Sequence, residues 1–373
     1  MKMMAMIRVM SVVAVWLLGI GSMCAQVQVG MVPGEIWPDD KGEHINAHGG
    51  CVLYHEGTYY WYGENRTERG AATDAGVGVY SSQDLVHWKN EGVALAVSDR
   101  VGDDIERGCI MERPKVVYNK RTKQFVMLFH LELKGQGYAA ARVGFAVSEN
   151  PTGPFRFVRS LRPNAGKWPK DFTRKDIKRA QALNEEQYRE WWTPEWRKAV
   201  AEGLLLKRDL PGGQMSRDMT VFVDDNGKAY HIHSAEENLT LNIAELTPDY
   251  LDYTGRYIRL APGGHNEAPT IMKRNGTYWM ITSGCTGWDP NEARMFRSKS
   301  IWGPWGQLPS PFVGEGAHKT FYSQGTYIFR IEGTDQYIFM ADRWTPRALK
   351  YSRYLWLPIE FVNEELRVAS PLR

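Results

Sequence analysis

The sequence predicts an all-β fold, a five-bladed β-propeller with one helical insertion, on three observations. A turn followed by an aromatic-rich strand recurs five times. Each recurrence is preceded by a short β-run, so each reads as a hairpin. The spacing becomes regular once one segment of different composition, about residues 162–215, is set aside. A sandwich does not explain five similar units, and a β-helix has much shorter repeats.

The recurrences are residues 57–62, 123–128, 227–232, 276–281 and 336–340, preceded by runs at 51–54, 115–118, 220–223, 270–273 and 326–330. Hairpin chemistry is explicit in Asp224-Asp225-Asn226-Gly227 and Arg274-Asn275-Gly276. Anchors at 57, 123, 227, 276 and 335 lie 66, 104, 49 and 59 residues apart. The long gap carries the insertion. Residues 81–88, 150–155 and 300–305 read as strand corners late in a unit. The stretch after residue 26 and residues 359–368 are expected to share a closing blade. Within the insertion, 174–182, 184–192 and 194–205 read as helical, with Thr193-Pro194-Glu195 as a cap and first turn. It holds Trp168, Trp191, Trp192 and Trp196. Two readings stand open, a helical flap docked on its own aromatic face and a wall of a ligand cleft.

Residues 1–25 read as a signal peptide, with Lys2 and Arg8 ahead of an apolar run too short for a comfortable membrane span and Ala25 at the cleavage point. Lipoprotein anchoring through Cys24 is the alternative, weakened by the bulky Met23. An exported chain, periplasmic or extracellular, follows, with residues 26–373 as one propeller domain and no later membrane span. Removing the leader takes the balance of 46 basic and 43 acidic residues to 44 against 43. That excludes an electrostatic nucleic-acid binder. Fourteen Trp and 18 Tyr without a charge bias suit a ring-lined surface for an uncharged ligand such as a sugar. Cys51, Cys109 and Cys285 have neither disulfide-framework nor zinc spacing and are expected in the core.

Propellers bind ligands at the central opening. Candidates therefore start the inner strands, in the segments 46–50, 111–114, 216–220, 266–269 and 323–326. Glu112, Asp218, Glu267 and Gln324 should converge on the axis. Clustered acids repel, which raises at least one pKa and keeps a carboxyl group protonated as a general acid. Paired carboxylates among many aromatic rings point to glycoside hydrolysis. Glu236-Glu237-Asn238 follows a strand and is placed to reach sugar hydroxyls.

At these residues the chain resembles glycoside hydrolase family 43, inverting five-bladed propellers. The resemblance rests on Asp218 with the run 221–230, and on Glu267-Ala268-Pro269-Thr270-Ile271 with 275–279. It implies Glu267 as general acid and Asp218 as the residue that tunes it. The first blade departs from the pattern: Asn46-Ala47-His48-Gly49-Gly50 stands where most of the family has an Asp base. That segment, with 61–65, is similar to the branch containing exo-β-1,3-galactanases. The branch implies Gln324 as the water-positioning residue, with Glu112 as proton acceptor or an imidic-acid form of Gln324 as base. It implies Glu64, Tyr138, Asn238 and Thr286 as substrate contacts, with Trp288 as a stacking ring. No cofactor is required, although relatives carry a structural cation near the axis, for which His265 is the nearest candidate.

The expected function is a secreted inverting exo-hydrolase that frees galactose from β-1,3-galactan, acting on an oligosaccharide or polysaccharide. An α-L-arabinofuranosidase of the same family is the close alternative. A catalytically inactive carbohydrate-binding propeller is the alternative of another class.

Overall fold

The computed structural model describes residues 31–67 and 72–370. The leader 1–25, with Cys24, lies outside the described residues. The first blade is β1 (His48–His55), β2 (Thr58–Glu64), β3 (Gly76–Ser82) and β4 (Lys89–Ala96). The second is β5 (Ile110–Asn119), β6 (Gln124–Glu132), β7 (Arg142–Ser148) and β8 (Arg156–Leu161). The third is β9 (Met219–Val223), β10 (Ala229–Ala235), β11 (Thr240–Leu246) and β12 (Tyr253–Leu260). The fourth is β13 (Asn266–Arg274), β14 (Thr277–Gly284), β15 (Arg294–Ser298) and β16 (Gly306–Leu308). The fifth is β17 (Phe312–Val313), β18 (Gln324–Arg330), β19 (Tyr337–Arg343), β20 (Arg353–Val362) and β21 (Glu365–Ala369).

Four blades are antiparallel meanders in sequence order, and in the fifth β17 adds a parallel edge to β21. The strands β1, β5, β9, β13 and β18 neighbour one another in a closed ring. Closure protects the inner edges that open sheets leave exposed. All five expected hairpins form. The Asn275-Gly276 loop is a two-residue connection between Arg274 and Thr277 with both φ positive, the geometry a type I′ turn requires. The expected corners at 150–155 and 300–305 contain the cis bonds Gly153-Pro154 and Gly303-Pro304.

Apolar positions from adjacent blades mesh into cores. Val117, Val126 and Phe145 of the second blade pack with Val221 and Leu246 of the third. Tyr230, Ile243, Tyr278 and Met280 join the third and fourth. Blade closure differs from expectation. Every strand of the fifth blade comes from residues 312–369, and the described N-terminal stretch adds none. Instead, fully buried Trp37 wedges against Trp61, Tyr354 and Trp356, with ring centroids 6.0, 5.5 and 5.3 Å away. The Gly34 N–H donates to the Tyr354 carbonyl at 2.9 Å.

The insertion forms α1 (Arg174–Ala182), α2 (Pro194–Glu202) and α3 (Leu204–Asp209). Thr173 and Asp176 make a reciprocal capping box, and Thr193 caps α2 with Pro194 in its first turn. Gly203, at φ +108°, separates α2 from α3, which the sequence reading had joined. Residues 184–192 hold one short 3₁₀ turn, Glu185–Gln187, rather than the expected helix. Asn184 N-caps that turn, and Trp191 and Trp192 reach Trp196 from an irregular backbone in which Trp192 takes a positive φ that no helix allows.

Inner strands start on one face of the disc. Because strands alternate within each blade, that face also carries the β6–β7, β10–β11 and β14–β15 loops and the links from one blade to the next. The insertion, between β8 and β9, therefore stands on the same face as the starts of the inner strands.

Replacing Trp37 by Ala leaves a cavity at the closing seam. The expected cost is about 3–5 kcal/mol of folding stability. Denaturant unfolding of the purified chain measures it, and a loss under about 1 kcal/mol would refute this account of closure.

Candidate active site

A cleft of about 400 Å³ opens on that face, lined by residues of all five blades, among them Glu64, Glu112, Asp218, Asn238, Glu267 and Gln324. Its position at the starts of the inner strands follows from closure. Those strands crowd together at the axis, so their first side chains face one another.

Glu267 sits at the start of β13, where a bulge between Glu267 and Thr270 redirects the chain. Asn238 Nδ2 donates to its Oε1 at 2.7 Å. Burial and the neighbouring charge of Asp218 raise its carboxyl pKa to about 7. Asp218 accepts the Ala268 N–H at 3.0 Å, so it lies against the backbone of the acid's own strand. The arrangement is one carboxyl group kept protonated by burial and by the like charge beside it, the electrostatics a general acid needs.

Glu112 is tuned the other way. Arg66 Nη2 donates to Oε1 at 2.9 Å, the Tyr138 hydroxyl donates to the same oxygen at 3.0 Å, and His130 Nδ1 lies 3.2 Å from Oε2. Burial opposes ionisation, but the paired His130 imidazole and Arg66 guanidinium hold the carboxyl far below its usual range. His130 bonds Glu132 Oε1 on its other side at 2.8 Å. Burial would strip its charge, yet the two carboxylates raise its pKa to about 9. Glu64 accepts from Arg66 Nε at 2.6 Å and from the Arg113 N–H at 2.8 Å. Burial, offset in part by Arg66, pushes its pKa up. Gly49, at φ +60°, leaves the space for that carboxylate, because a Cβ there would lie 2.2 Å from Glu64 Oε1.

Gln324 is fixed at three points. Its Oε1 accepts from Arg113 Nη2 at 2.5 Å and Trp344 Nε1 at 2.9 Å, and its Nε2 donates to Ser283 Oγ at 3.0 Å. Flipping the amide would set NH₂ against two N–H donors, so this orientation is determined. Arg113 also donates to the Gly325 carbonyl at 2.9 Å and pairs with Asp218 at 3.0 Å.

Tyr138 and Trp288 line the cleft, with Trp288 edge-on to Trp344 at 5.5 Å. Thr286 is not among the lining residues. Its hydroxyl donates to the Asp289 carbonyl and accepts from Asn291 Nδ2, which spends it within its own loop. Cys285 departs from the expected core position: half-buried, it lies beside the Glu267 carboxyl. Glu236 does not reach the cleft either. It is fully buried and paired with Arg259 at 2.7 Å through both oxygens. Glu237 pairs with Arg208 and Arg217 at 3.0 Å.

A cation near the axis does not fit the residues there. His265 faces Trp192 at 5.1 Å. The space between the first two inner strands is taken by buried Lys115, whose Nζ donates to the carbonyls of Gly49 at 2.7 Å and Arg113 at 3.1 Å. Those carbonyls already accept from the Lys115 amine, whose pKa burial lowers to about 7, beside the Arg113 guanidinium. Among the described residues no three His, Cys, Asp or Glu side chains gather as a metal site.

The profile of Glycosyl hydrolases family 43 matches residues 190–343. The fold is similar to that of a family-43 β-1,3-galactosidase solved with galactodeoxynojirimycin, at 58% identity over 91% of this chain and 98% of that one, with a TM-score of 0.90. This chain belongs to glycosyl hydrolases family 43. Two further solved similarities are exo-β-1,3-galactanases, one from Clostridium thermocellum (35% identity, 91% and 64% of the two chains, TM-score 0.73) and one from Phanerochaete chrysosporium bound to galactose (30%, 91% and 66%, 0.72). A curated β-D-galactofuranosidase of Aspergillus niger is 26% identical over 155 residues, a match spanning 41% of this chain and 44% of that protein.

Family-43 membership makes the chain a glycoside hydrolase, and the first-blade departure acquires a structural reason. Asn46 is occupied with the backbone: its Nδ2 donates to the Arg66 carbonyl at 2.8 Å and its Oδ1 accepts the Arg66 N–H at 3.0 Å. It thereby presents Arg66 to Glu64 and Glu112. Sequence reasoning missed Arg66, His130 and Trp344 and gave no role to Arg113 or Arg217, all lining this family-43 cleft. Arg113 was within sight, next to Glu112 in the second segment.

Glu267 must be protonated to donate, so activity is retained below its pKa and lost as pH rises through about 7. Glu267→Gln should lower kcat on an oligosaccharide roughly 10²–10⁴-fold. Wild-type-like turnover would remove Glu267 from the acid role. Asp218→Asn removes the like charge, so the alkaline limb of kcat/KM should move to lower pH; a limb that stays or moves upward contradicts the tuning.

Proposed function

We propose that this chain is an exported, inverting exo-glycoside hydrolase that releases galactose from β-1,3-galactan. The observation that carries the reading is a cleft with two oppositely tuned carboxylates, Glu267 raised and Glu112 depressed, in a chain 58% identical to a β-1,3-galactosidase over nearly that protein's whole length. The near-neutral chain and its leader-like residues 1–25 support an exported enzyme for a neutral glycan. No helix among the described residues is long and apolar enough to cross a membrane.

In this reading the Glu267 proton passes to the glycosidic oxygen as the anomeric carbon–oxygen bond breaks. Burial and the neighbouring charge of Asp218, itself paired with Arg113, hold Glu267 protonated until then. Water attacks the opposite face, its oxygen bonding to the anomeric carbon. Gln324 positions that water rather than deprotonating it. Both lone pairs of its carbonyl oxygen already face donors, Arg113 and Trp344, and an imidic O–H there would have no acceptor. The water's proton goes to Glu112, the ionised carboxylate of the cleft. Its depressed pKa makes it a weak base and a strong acceptor for sugar hydroxyls. Glu64, Tyr138 and Asn238 take the remaining hydroxyls, and Trp288 with Trp344 offers ring surface to the sugar's C–H face.

Chromatography of products from β-1,3-galactan, arabinan and arabinogalactan tests the substrate. Galactose is expected from the first, and arabinose alone, or binding without release over days, overturns the proposal. NMR of the first-formed sugar should show α-galactose, since inversion of a β-linkage gives the α-anomer; β-galactose first would rule out inversion.

A further inference from the structure

Trp191 and Trp192 of the insertion expose 43% and 46% of their surface, although large rings in a folded domain are usually covered. Both rest on one buried pillar. Trp196 of α2 is 1% exposed; Trp191 stacks on it at 5.0 Å and 25°, and Trp192 leans on it at 5.3 Å. Trp192 adopts φ +70°, a conformation that costs a bulky residue energy and that the surrounding structure must enforce. Arg197 covers one side of its ring at 5.4 Å.

The pillar is anchored to the propeller. Arg259, paired with buried Glu236, donates to the Val200 and Ala201 carbonyls at 2.8 and 3.0 Å and so pins the end of α2 to the third blade. Trp192 meets His265, two residues before Glu267. The His265 N–H donates to the Leu239 carbonyl and the Asn266 N–H to the Asn238 carbonyl, so the loop that presents Asn238 to Glu267 is laced to the segment under Trp192. The insertion stands on the cleft face. A rigid, half-exposed indole pair beside the acid-bearing strand fits a leaving group that extends past the cleft.

We propose that Trp192, supported by Trp191 and Trp196, forms a subsite for the sugar units of the substrate beyond the scissile bond, the side on which Glu267 delivers its proton. The ligand class is a neutral β-linked oligosaccharide whose apolar face stacks on the indole. This rests on the galactan reading, and its test separates the two.

The experiment compares β-1,3-galactotriose with 4-nitrophenyl β-galactoside for the wild type, Trp191→Ala, Trp192→Ala and Trp192→Phe. The ratio of kcat/KM on trisaccharide to that on aryl galactoside should fall about tenfold in Trp192→Ala, through KM, and recover most of the way in Trp192→Phe. Calorimetric affinity for the trisaccharide in a Glu267→Gln background should weaken by a similar factor when Trp192→Ala is added. An unchanged ratio in both alanine variants, equal losses on both substrates, or an unchanged affinity in the Glu267→Gln background would overturn the subsite. Failure of the wild type to release galactose from the trisaccharide would overturn the galactan reading itself.

Discussion

One buried guanidinium holds the catalytic face together. Arg113 pairs with Asp218 of the third blade, donates to Gln324 and Gly325 of the fifth, and through its own N–H binds Glu64 of the first. It adopts φ +52°, which only a strongly determined environment sustains in a non-glycine residue. Asp218 passes the connection to the fourth blade through the Ala268 N–H. A charge this deep is tolerated only when every partner is in place. The geometry of Glu267, Asp218 and Gln324 is thus set by one group.

The same arrangement divides the carboxylates. Glu267 meets a like charge and an amide, Glu112 meets Arg66 and the imidazolium of His130. Two similar side chains at equivalent positions of different blades are thereby tuned in opposite directions, Glu267 upward and Glu112 downward. The difference is made by the second residue each one meets.

The blades were legible because each is a contiguous hairpin pair with its own turn chemistry, and the Asn275-Gly276 loop is local information in full. Glu112, Asp218, Glu267 and Gln324 were legible because a repeat converts sequence position into spatial position. What stayed hidden joins distant segments. Nothing local in Asn46 says that it will hold Arg66, nor in Thr286 that its hydroxyl will be consumed by Asp289. Cys285 looked like a core thiol because the cysteines have neither disulfide nor zinc spacing, and nothing local says that it will sit beside Glu267. The stretch 184–192 looked helical, but its rings pack on Trp196 from a backbone that Trp192 breaks at a positive φ. The two tryptophans at its end go instead to the surface beside the cleft.

The seam between the first and fifth blades is closed by rings rather than by a shared strand. A clasp of hydrogen-bonded backbone would hold through the enthalpy of its bonds. A clasp of Trp37, Trp61, Tyr354 and Trp356 holds through water released from apolar surface, and that driving force weakens on cooling. That joint therefore relies on a force that weakens on cooling, alongside hydrogen bonds such as the one from the Gly34 N–H to the Tyr354 carbonyl.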